Sequence, residues 1–361
     1  MAVGFSGSNG GIAGVCSHFP GADSQAATLG KECLYPTEIS YFVNNTCNLR
    51  CSHCYVAYRR VEHPLSTQVW LAGFDDLIKI GARIFGNVGK EPLLSWRKTA
   101  ALLAHLKRWR ERIPQVRFGL VTNGTLLDDE KIHGLAELQP DYIDVSLDGD
   151  EQAHDAIRGA GTFARTMGNL RRVGRTDLIR KVFASFTMNR LNVDTVGALV
   201  EAAYPLGIRN LLVSPYVTVR DEDVLRVQDE EILAWVSRLL DGQVIDFRRF
   251  PGLNVYVKND YSTTRPLMEE FVRQGLIDLD ALLIDSYGVV FCQHRREQCR
   301  IYFNYQPFDP FPTRAIRISH DGYVSDCLSM FYDDYPARAI GNVRERPIRE
   351  ILADVAVSAP A

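Results

Sequence analysis

Three cysteines, Cys47, Cys51 and Cys54, stand in the run Cys47-Asn-Leu-Arg-Cys51-Ser-His-Cys54-Tyr55, directly after the apolar stretch Ile39 to Val43. Three thiolates so spaced can wrap three corners of one small inorganic cluster, and a [4Fe-4S] cube held by only three cysteines keeps one iron open to a further ligand. An open iron is a place for chemistry. Two plainer readings compete. A structural zinc site usually takes four ligands, commonly as two C-x2-C-like pairs; here a single run supplies three, and His53, a candidate fourth, lies inside the same short loop. Disulfides are the other reading. The spacing favours the cluster, and other residues along the chain bear on the choice.

The C-x3-C-x2-C loop after a first strand resembles that of the radical S-adenosylmethionine (SAM) superfamily. The resemblance implies that the amino and carboxylate groups of SAM chelate the open iron. An electron from the reduced cluster then splits the sulfonium to a 5'-deoxyadenosyl radical. In that family the residue before the third cysteine is usually aromatic and lies near the adenine, which places His53 there.

Further segments carry the same likeness. In Gly89-Lys90-Glu91-Pro92, Gly89 lets backbone approach a ligand closely, Glu91 offers a carboxylate to an ammonium, and Pro92 stiffens the turn. This resembles the family's Gly-Gly-Glu-Pro segment, which receives the SAM amino group, with Lys90 in place of the second glycine. An ordinary strand-to-helix turn is the plainer alternative. In Ser146-Leu147-Asp148-Gly149, Ser146 and Asp148 are two apart, so on an extended strand end they point the same way and can hold a ribose diol; Asp-Gly is also a common turn signal. His154-Asp155-x2-Arg158-Gly159 resembles a family segment whose arginine meets the SAM carboxylate, a task suited to the guanidinium fork. Thr122-Asn123-Gly124 reads either as an Asn-Gly turn or as the similar family segment lining the SAM pocket. Gly207 to Leu211 is similar to the strand-six segment that packs on adenine, or is simply a core strand.

These segments need elements to position them. Strand-like apolar runs occur at Ile39 to Val43, Arg83 to Val88, Val116 to Val121, Tyr142 to Val145, Val182 to Thr187 and Asn210 to Val213. Helical periodicity falls between them, with Trp70, Leu71, Phe74, Leu77 and Ile78 on one face and Leu102, Leu103, Leu106 and Trp109 on another. Ser66 and Asp194 read as N-caps. Six strand-helix units imply a parallel sheet, because parallel neighbours need crossover helices. The expected fold is α/β, a partial (β/α)6 TIM barrel. Every polar signal above follows a strand, where a barrel places its active site.

The alternation ends near residue 245. Residues 1–36, Gly/Ala/Ser-rich, read as a flexible N-terminal segment, 37–245 as the barrel, and 246–361 as a smaller C-terminal α+β domain. That last segment holds Cys292, Cys299 and Cys327, a hairpin turn at Asp321-Gly322, Gly341-Asn342-Val343 and a helical Ile348 to Leu352. It is similar to the family's twitch or SPASM extensions, which carry auxiliary [4Fe-4S] clusters. Three cysteines limit the expectation to one such cluster, with substrate, Cys16, Cys33, His294, His320 or Asp326 as its fourth ligand; three unrelated thiols are the alternative. One of them as hydrogen-atom donor, as in family epimerases, also stays open. Tyr256, Tyr261, Phe271 and Tyr287 are substrate-contacting or interdomain aromatics, and Tyr302 to Phe308 is the expected specificity loop.

A net charge of −3 excludes a strongly basic nucleic-acid footprint. No run of about 18 apolar residues spans a membrane, and the N-terminus lacks the basic start and apolar core of a signal peptide. Eight cysteines clustered by function suit a reducing cytoplasm. The resemblance implies an enzyme that abstracts a hydrogen atom, drawing electrons from a donor such as flavodoxin or ferredoxin. The expected substrate is a small natural-product intermediate (sugar, aminocyclitol or nucleoside) that is oxidised or epimerised; a ribosomal peptide is the second choice. A non-catalytic iron-sulfur or zinc protein on a barrel scaffold is the remaining class, and it has no use for Glu91, Ser146, Asp148 and Arg158 on one rim.

Overall fold

The computed structural model describes residues 37–54, 64–218, 223–258, 265–284, 290–305, 315–326, 329, 332 and 334–358. Among these, thirteen strands form one sheet. The first six are β1 (Glu38–Tyr41), β2 (Ile84–Asn87), β3 (Arg117–Thr122), β4 (Tyr142–Ser146), β5 (Val182–Met188) and β6 (Asn210–Pro215). They pair in chain order and in parallel, as the alternation predicts. Between them run α1 (Thr67–Lys79), α2 (Trp96–Arg112), α3 (Asp129–Leu138), α4 (Glu151–Arg158), α5 (Thr162–Val173) and α6 (Val196–Ala203). The fold is α/β, with a parallel sheet that does not close.

Caps set where the helices begin. Ser66 accepts a hydrogen bond from Val69 N at the start of α1, satisfying one of the amides a helix start leaves orphaned. Asp194 does not cap α6: the cap position is Thr195, which makes no side-chain cap bond, and Asp194 instead accepts from Arg238 at 2.9 Å. One residue of slippage redirects a carboxylate from a helix end to an ion pair.

The parallel sheet extends beyond the sixth strand. After α7 (Asp229–Leu240), β7 (Asn254–Val257) joins β6 in parallel, past residue 245, where the sequence reading ends the alternation. Past α8 (Arg265–Arg273), β8 (Leu283–Ile284), β9 (Val290–Arg296) and β10 (Cys299–Asn304) follow, with β10 parallel to β7. β11 (Ala315–Ile318) returns to the opposite edge and pairs with β1 in parallel. β12 (Tyr323–Ser325) and β13 (Gly341–Asn342) complete that edge before α9 (Ile348–Ser358). The C-terminal third therefore flanks both edges of one sheet, and Ile301, Ile316 and Ile351 share a core with Ile39 and Phe85.

Alternation along the strands gives the sheet two unlike faces. One is fully buried under the helices through Phe85, Phe118, Val145, Phe186, Val213, Val255 and Phe303. The other carries half-buried Tyr142, Asp144, Ser146, Ser185, Thr187, Ser214, Tyr256 and Tyr302. Tyr142 lies on that face because two neighbours lack side chains: a Cβ on Gly119 would stand 2.6 Å from its ring, and one on Gly86 2.7 Å from its hydroxyl. Gly119→Ala must displace the ring, and overpacking of this kind costs about 1–3 kcal/mol. The expected result is a lowered midpoint of thermal unfolding for the purified chain; an unchanged midpoint would show that Tyr142 relaxes freely.

Candidate active site

The C-terminal ends of β1 to β5 open on one rim, and the polar side chains there bond to each other. The cysteine loop is tied to the turn after β2 first. Glu91 N donates to Thr46 O at 3.0 Å, and Asn44 Nδ2 donates to Glu91 O at 3.0 Å and Ser95 Oγ at 2.9 Å. Its far end is held by α4, where Ser52 N donates to Ile157 O at 2.9 Å.

Glu91 is wholly buried. Its Oε1 accepts from Thr122 Oγ1 at 2.8 Å and Leu93 N at 3.0 Å, and its Oε2 accepts from Asn123 N at 2.8 Å. Three of the roughly four acceptor positions of a carboxylate are thus filled by neutral donors. Burial nevertheless dominates and pushes the group up to about 7. From the end of β3, Asn123 Nδ2 donates to Asn48 Oδ1 at 2.9 Å and reaches Cys47 Sγ at 3.9 Å. Asn44 and Asn48 escaped the sequence reading; their signal was polar residues clustered around a strand end.

Asp148 is also wholly buried, but its partner is charged. Arg158 Nε donates to Asp148 Oδ2 at 2.6 Å, Thr187 N donates to Oδ1 at 2.9 Å, and His53 Nε2 lies 3.5 Å from Oδ2. Burial opposes ionisation, yet Arg158 outweighs it and holds Asp148 below the usual carboxylate range. The carboxylate expected to hold a ribose is turned onto protein groups; Ser146, half-buried at the end of β4, is not among them. Asp150 caps α4 by accepting from Ala153 N, which sets Arg158 at the end of that helix facing Asp148. Asp148 N donates to His154 Nδ1 at 3.1 Å, so His154 is neutral, and burial drives it down to about 4.

Arg158 also extends toward the cysteine loop, with Nη1 3.9 Å from Cys51 Sγ and Nη2 3.5 Å from His53 Nε2. His53 is buried, which lowers it to about 4, and its Nδ1 has no partner. Protein packing alone requires a residue without a side chain at Gly89: a Cβ there would fall 1.5 Å from the Phe42 ring. Gly207 to Leu211 leads into β6, with Ile208 and Leu211 buried in the core.

Cys47, Cys51 and Cys54 are half-buried and in no disulfide. Burial raises Cys47, and raises Cys51 to about 11 despite Arg158; Cys54 adds to the rise at both, and Cys47 to that at Cys51. Three thiols in electrostatic contact, with cationic Arg158 beside one of them, fit a group bound by three thiolates. Among the described residues no three His, Cys, Asp or Glu side chains converge as they would on a single metal ion.

Cys292 and Cys299 are not brought together. The pairing of β9 with β10 sets Cys299 opposite Arg296 and Cys292 opposite Phe303. Four residues of strand separate them, about 13 Å at 3.3 Å per residue. Both lie in the apolar layer under the helices, and Cys299 Sγ donates to Phe250 O at 3.0 Å. An auxiliary cluster ligated by this pair does not follow from their placement. The sequence reading counted cysteines without their strand parity. His294 Nε2 is engaged with Leu276 O at 2.7 Å, and Asp326 accepts from Ser329 N. Cys16, Cys33, Tyr261, Tyr287, Cys327 and residues 306–308 lie outside the described residues.

The Radical SAM superfamily profile matches residues 41–203. The Fe-coproporphyrin III synthase of Methanosarcina barkeri is 34% identical over 158 residues, 43% of this chain and 38% of that protein. The AdoMet-dependent heme synthase of the same organism is 24% identical over 330 residues, 89% of this chain and 83% of that protein. Streptococcus suis SuiB, solved bound to precursor peptide SuiA, shares the fold with a TM-score of 0.66 at 16% identity, over 92% of this chain and 68% of that one. The chain spans about two fifths of the length of the first curated relatives it matches.

Glu91 carries a pH signature. Its folded value of about 7 lies above the ordinary 4.5, so the folded state prefers the protonated acid. That contribution is complete below pH 4.5 and is lost as pH rises through 7. Glu91→Gln removes the ionisation. In cluster-free protein the stability of Glu91→Gln relative to wild type is expected to rise between pH 4.5 and 7, by on the order of 3 kcal/mol. Denaturant titrations across that window test it, and a difference independent of pH would refute the assignment.

Proposed function

From a chain whose residues 41–203 are a radical SAM domain, we propose an enzyme that holds a [4Fe-4S] cluster on Cys47, Cys51 and Cys54 and cleaves SAM reductively. When bound, the cluster and SAM supply a 5'-deoxyadenosyl radical able to abstract a hydrogen atom from a substrate C–H bond. The observation that carries this reading is the convergence of the three thiols with Glu91, Asn123 and Arg158 on one rim.

The residues divide the work. Glu91 has about one acceptor position left for the SAM ammonium, and an arriving cation favours its ionised form. Asn123 and Asn48 brace the loop at Cys47. Arg158, neutralised by Asp148, keeps its outer nitrogens toward Cys51 and His53, where they can meet a carboxylate bidentately. Ser146 is placed to bond a ribose hydroxyl. The protein's contribution is orientation and exclusion of water; the cofactor does the difficult chemistry.

The half-buried face of the sheet supports the choice of substrate. Phe183, Tyr256, Tyr302 and Phe291 form a row of ring contacts at 5.5, 4.6 and 5.2 Å. The row runs from β5 across to β9, about 15 Å from the first ring to the last, longer than a single sugar ring. We therefore read the substrate as a peptide segment or a polycyclic molecule with a flat apolar part. A small polar natural product is the second reading, favoured by Ser146, Ser185, Thr187 and Ser214 on the same face. A low-potential flavodoxin or ferredoxin would deliver the electron.

The test is anaerobic reconstitution followed by reduction, addition of SAM and assay of 5'-deoxyadenosine. Wild type is expected to form it, and a Cys47→Ala/Cys51→Ala/Cys54→Ala variant is expected to form none. Reduced, cluster-loaded wild type that forms none with candidate substrates present would overturn the reading. With deuterated solvent, a product two hydrogens lighter marks oxidation, and deuterium uptake without a change of formula marks epimerisation.

A further inference from the structure

The turn after β2 departs from the family's Gly-Gly-Glu-Pro segment at one residue, Lys90, and the departure leaves a mark on the backbone. Lys90 has φ +51°, and only Gln139 and Glu297 share this region among the described non-glycine residues. Those two have ordinary local reasons. Gln139 is the left-handed cap of α3, and Glu297 sits in the turn between β9 and β10. Lys90 lies instead on the rim, half-buried, between Gly89 packed on Phe42 and wholly buried Glu91. Glycine would hold this conformation without strain, so the side chain is present against a conformational cost, and strain of this kind at a site points to a use.

Lys90 lies against the cysteine loop, because the next amide, Glu91 N, donates to Thr46 O at 3.0 Å, one residue before Cys47. The Lys90 ammonium interacts electrostatically with Cys54 and Cys47, and Arg50 adds a second positive charge; burial works against the ammonium and lowers it from its ordinary value. The other charges around the thiols are spoken for. Arg158 is paired with Asp148, and Glu91 is the acidic group that acts on Cys47. Reducing a thiolate-bound cluster adds one negative charge to it. A cation held nearby in a half-buried site stabilises that added charge more than one in open water would. Net charge and exposure are among the quantities that set such potentials.

We infer that Lys90 is a potential-setting residue: its fixed positive charge beside Cys47 and Cys54 makes the cluster on this loop easier to reduce. The inference rests on the proposed binding of a cluster by Cys47, Cys51 and Cys54. No bond is made or broken. One electron passes from the external donor to the cluster, and Lys90 shifts only the equilibrium of that transfer.

The test uses the full chain, reconstituted without oxygen and titrated with reductant in the absence of SAM, following the signal of the reduced cluster. Lys90→Gln and Lys90→Gly are expected to lower the reduction equilibrium constant about tenfold, about 59 mV for one electron, while Lys90→Arg keeps the wild-type potential. Thermal unfolding of the cluster-free proteins separates charge from strain. Lys90→Gly should unfold at a higher temperature than wild type, because the strain is relieved, and Lys90→Gln should not. A potential that shifts in Lys90→Gly alone, or equally in Lys90→Arg and Lys90→Gln, or in none of them, overturns the inference. Wild-type protein that takes up no iron and sulfide on the three cysteines overturns the site reading and this inference together, whereas a normal cluster with a charge-independent potential overturns this inference alone.

Discussion

Parallel pairing is the constraint on which the rest depends. From β11 across to β10 every neighbouring pair of strands runs in the same direction, so the ends that follow in sequence all emerge on one edge. From β1 to β7 the chain crosses back through a helix each time, and the loop before each crossing opens on that edge. Backbone amides and carbonyls there have left the sheet ladder and need other partners. Asn44, Glu91, Asn123, Asp148 and Asn192 supply them. The same side chains that satisfy the rim hold the cysteine loop in place.

Two carboxylates buried to the same extent on that rim behave oppositely. Glu91, surrounded by neutral donors, is driven up to about 7. Asp148, with Arg158 at 2.6 Å, is driven down. Hydrogen bonds from amides and hydroxyls do not offset desolvation at Glu91, whereas one guanidinium does at Asp148. Cys47 and Cys51 follow the first pattern, and Cys51 rises to about 11 even beside Arg158. Loading a cluster would therefore release protons from thiols that are neutral beforehand, and the positive charges of Arg158 and Lys90 ease that change.

Much of the fold and part of the site were legible in the sequence. The six strands from Ile39 to Val213 could be read because each is an apolar run bounded by turn residues, and the helices because Trp70, Phe74, Leu77 and Ile78 repeat at helical spacing. Cys47, Cys51 and Cys54 could be read because all three lie in one loop. β7, Asn254–Val257, was missed because it stands past residue 245, where the alternation was taken to end. The placement of Cys292 and Cys299 was not legible, because pairing register decides that Cys292 faces Phe303 and that both thiols lie under the helices. The packing of Phe42, brought in from the end of β1, against Gly89 was not legible, because the two meet only in the folded chain.

What the sequence determined by itself was local: residue spacing within a loop, periodicity within an element, and the order in which polar turns follow strands. These depend on chemistry a few residues wide. What only the tertiary structure decided was which charge meets which. Asp148 faces Arg158 and not open solvent, Glu91 has no cation close enough to offset its burial, and the C-terminal strands divide between the two edges of one sheet. Electrostatic energy depends on distance through space and on exclusion of water, and neither is defined until residues far apart in sequence have packed against each other.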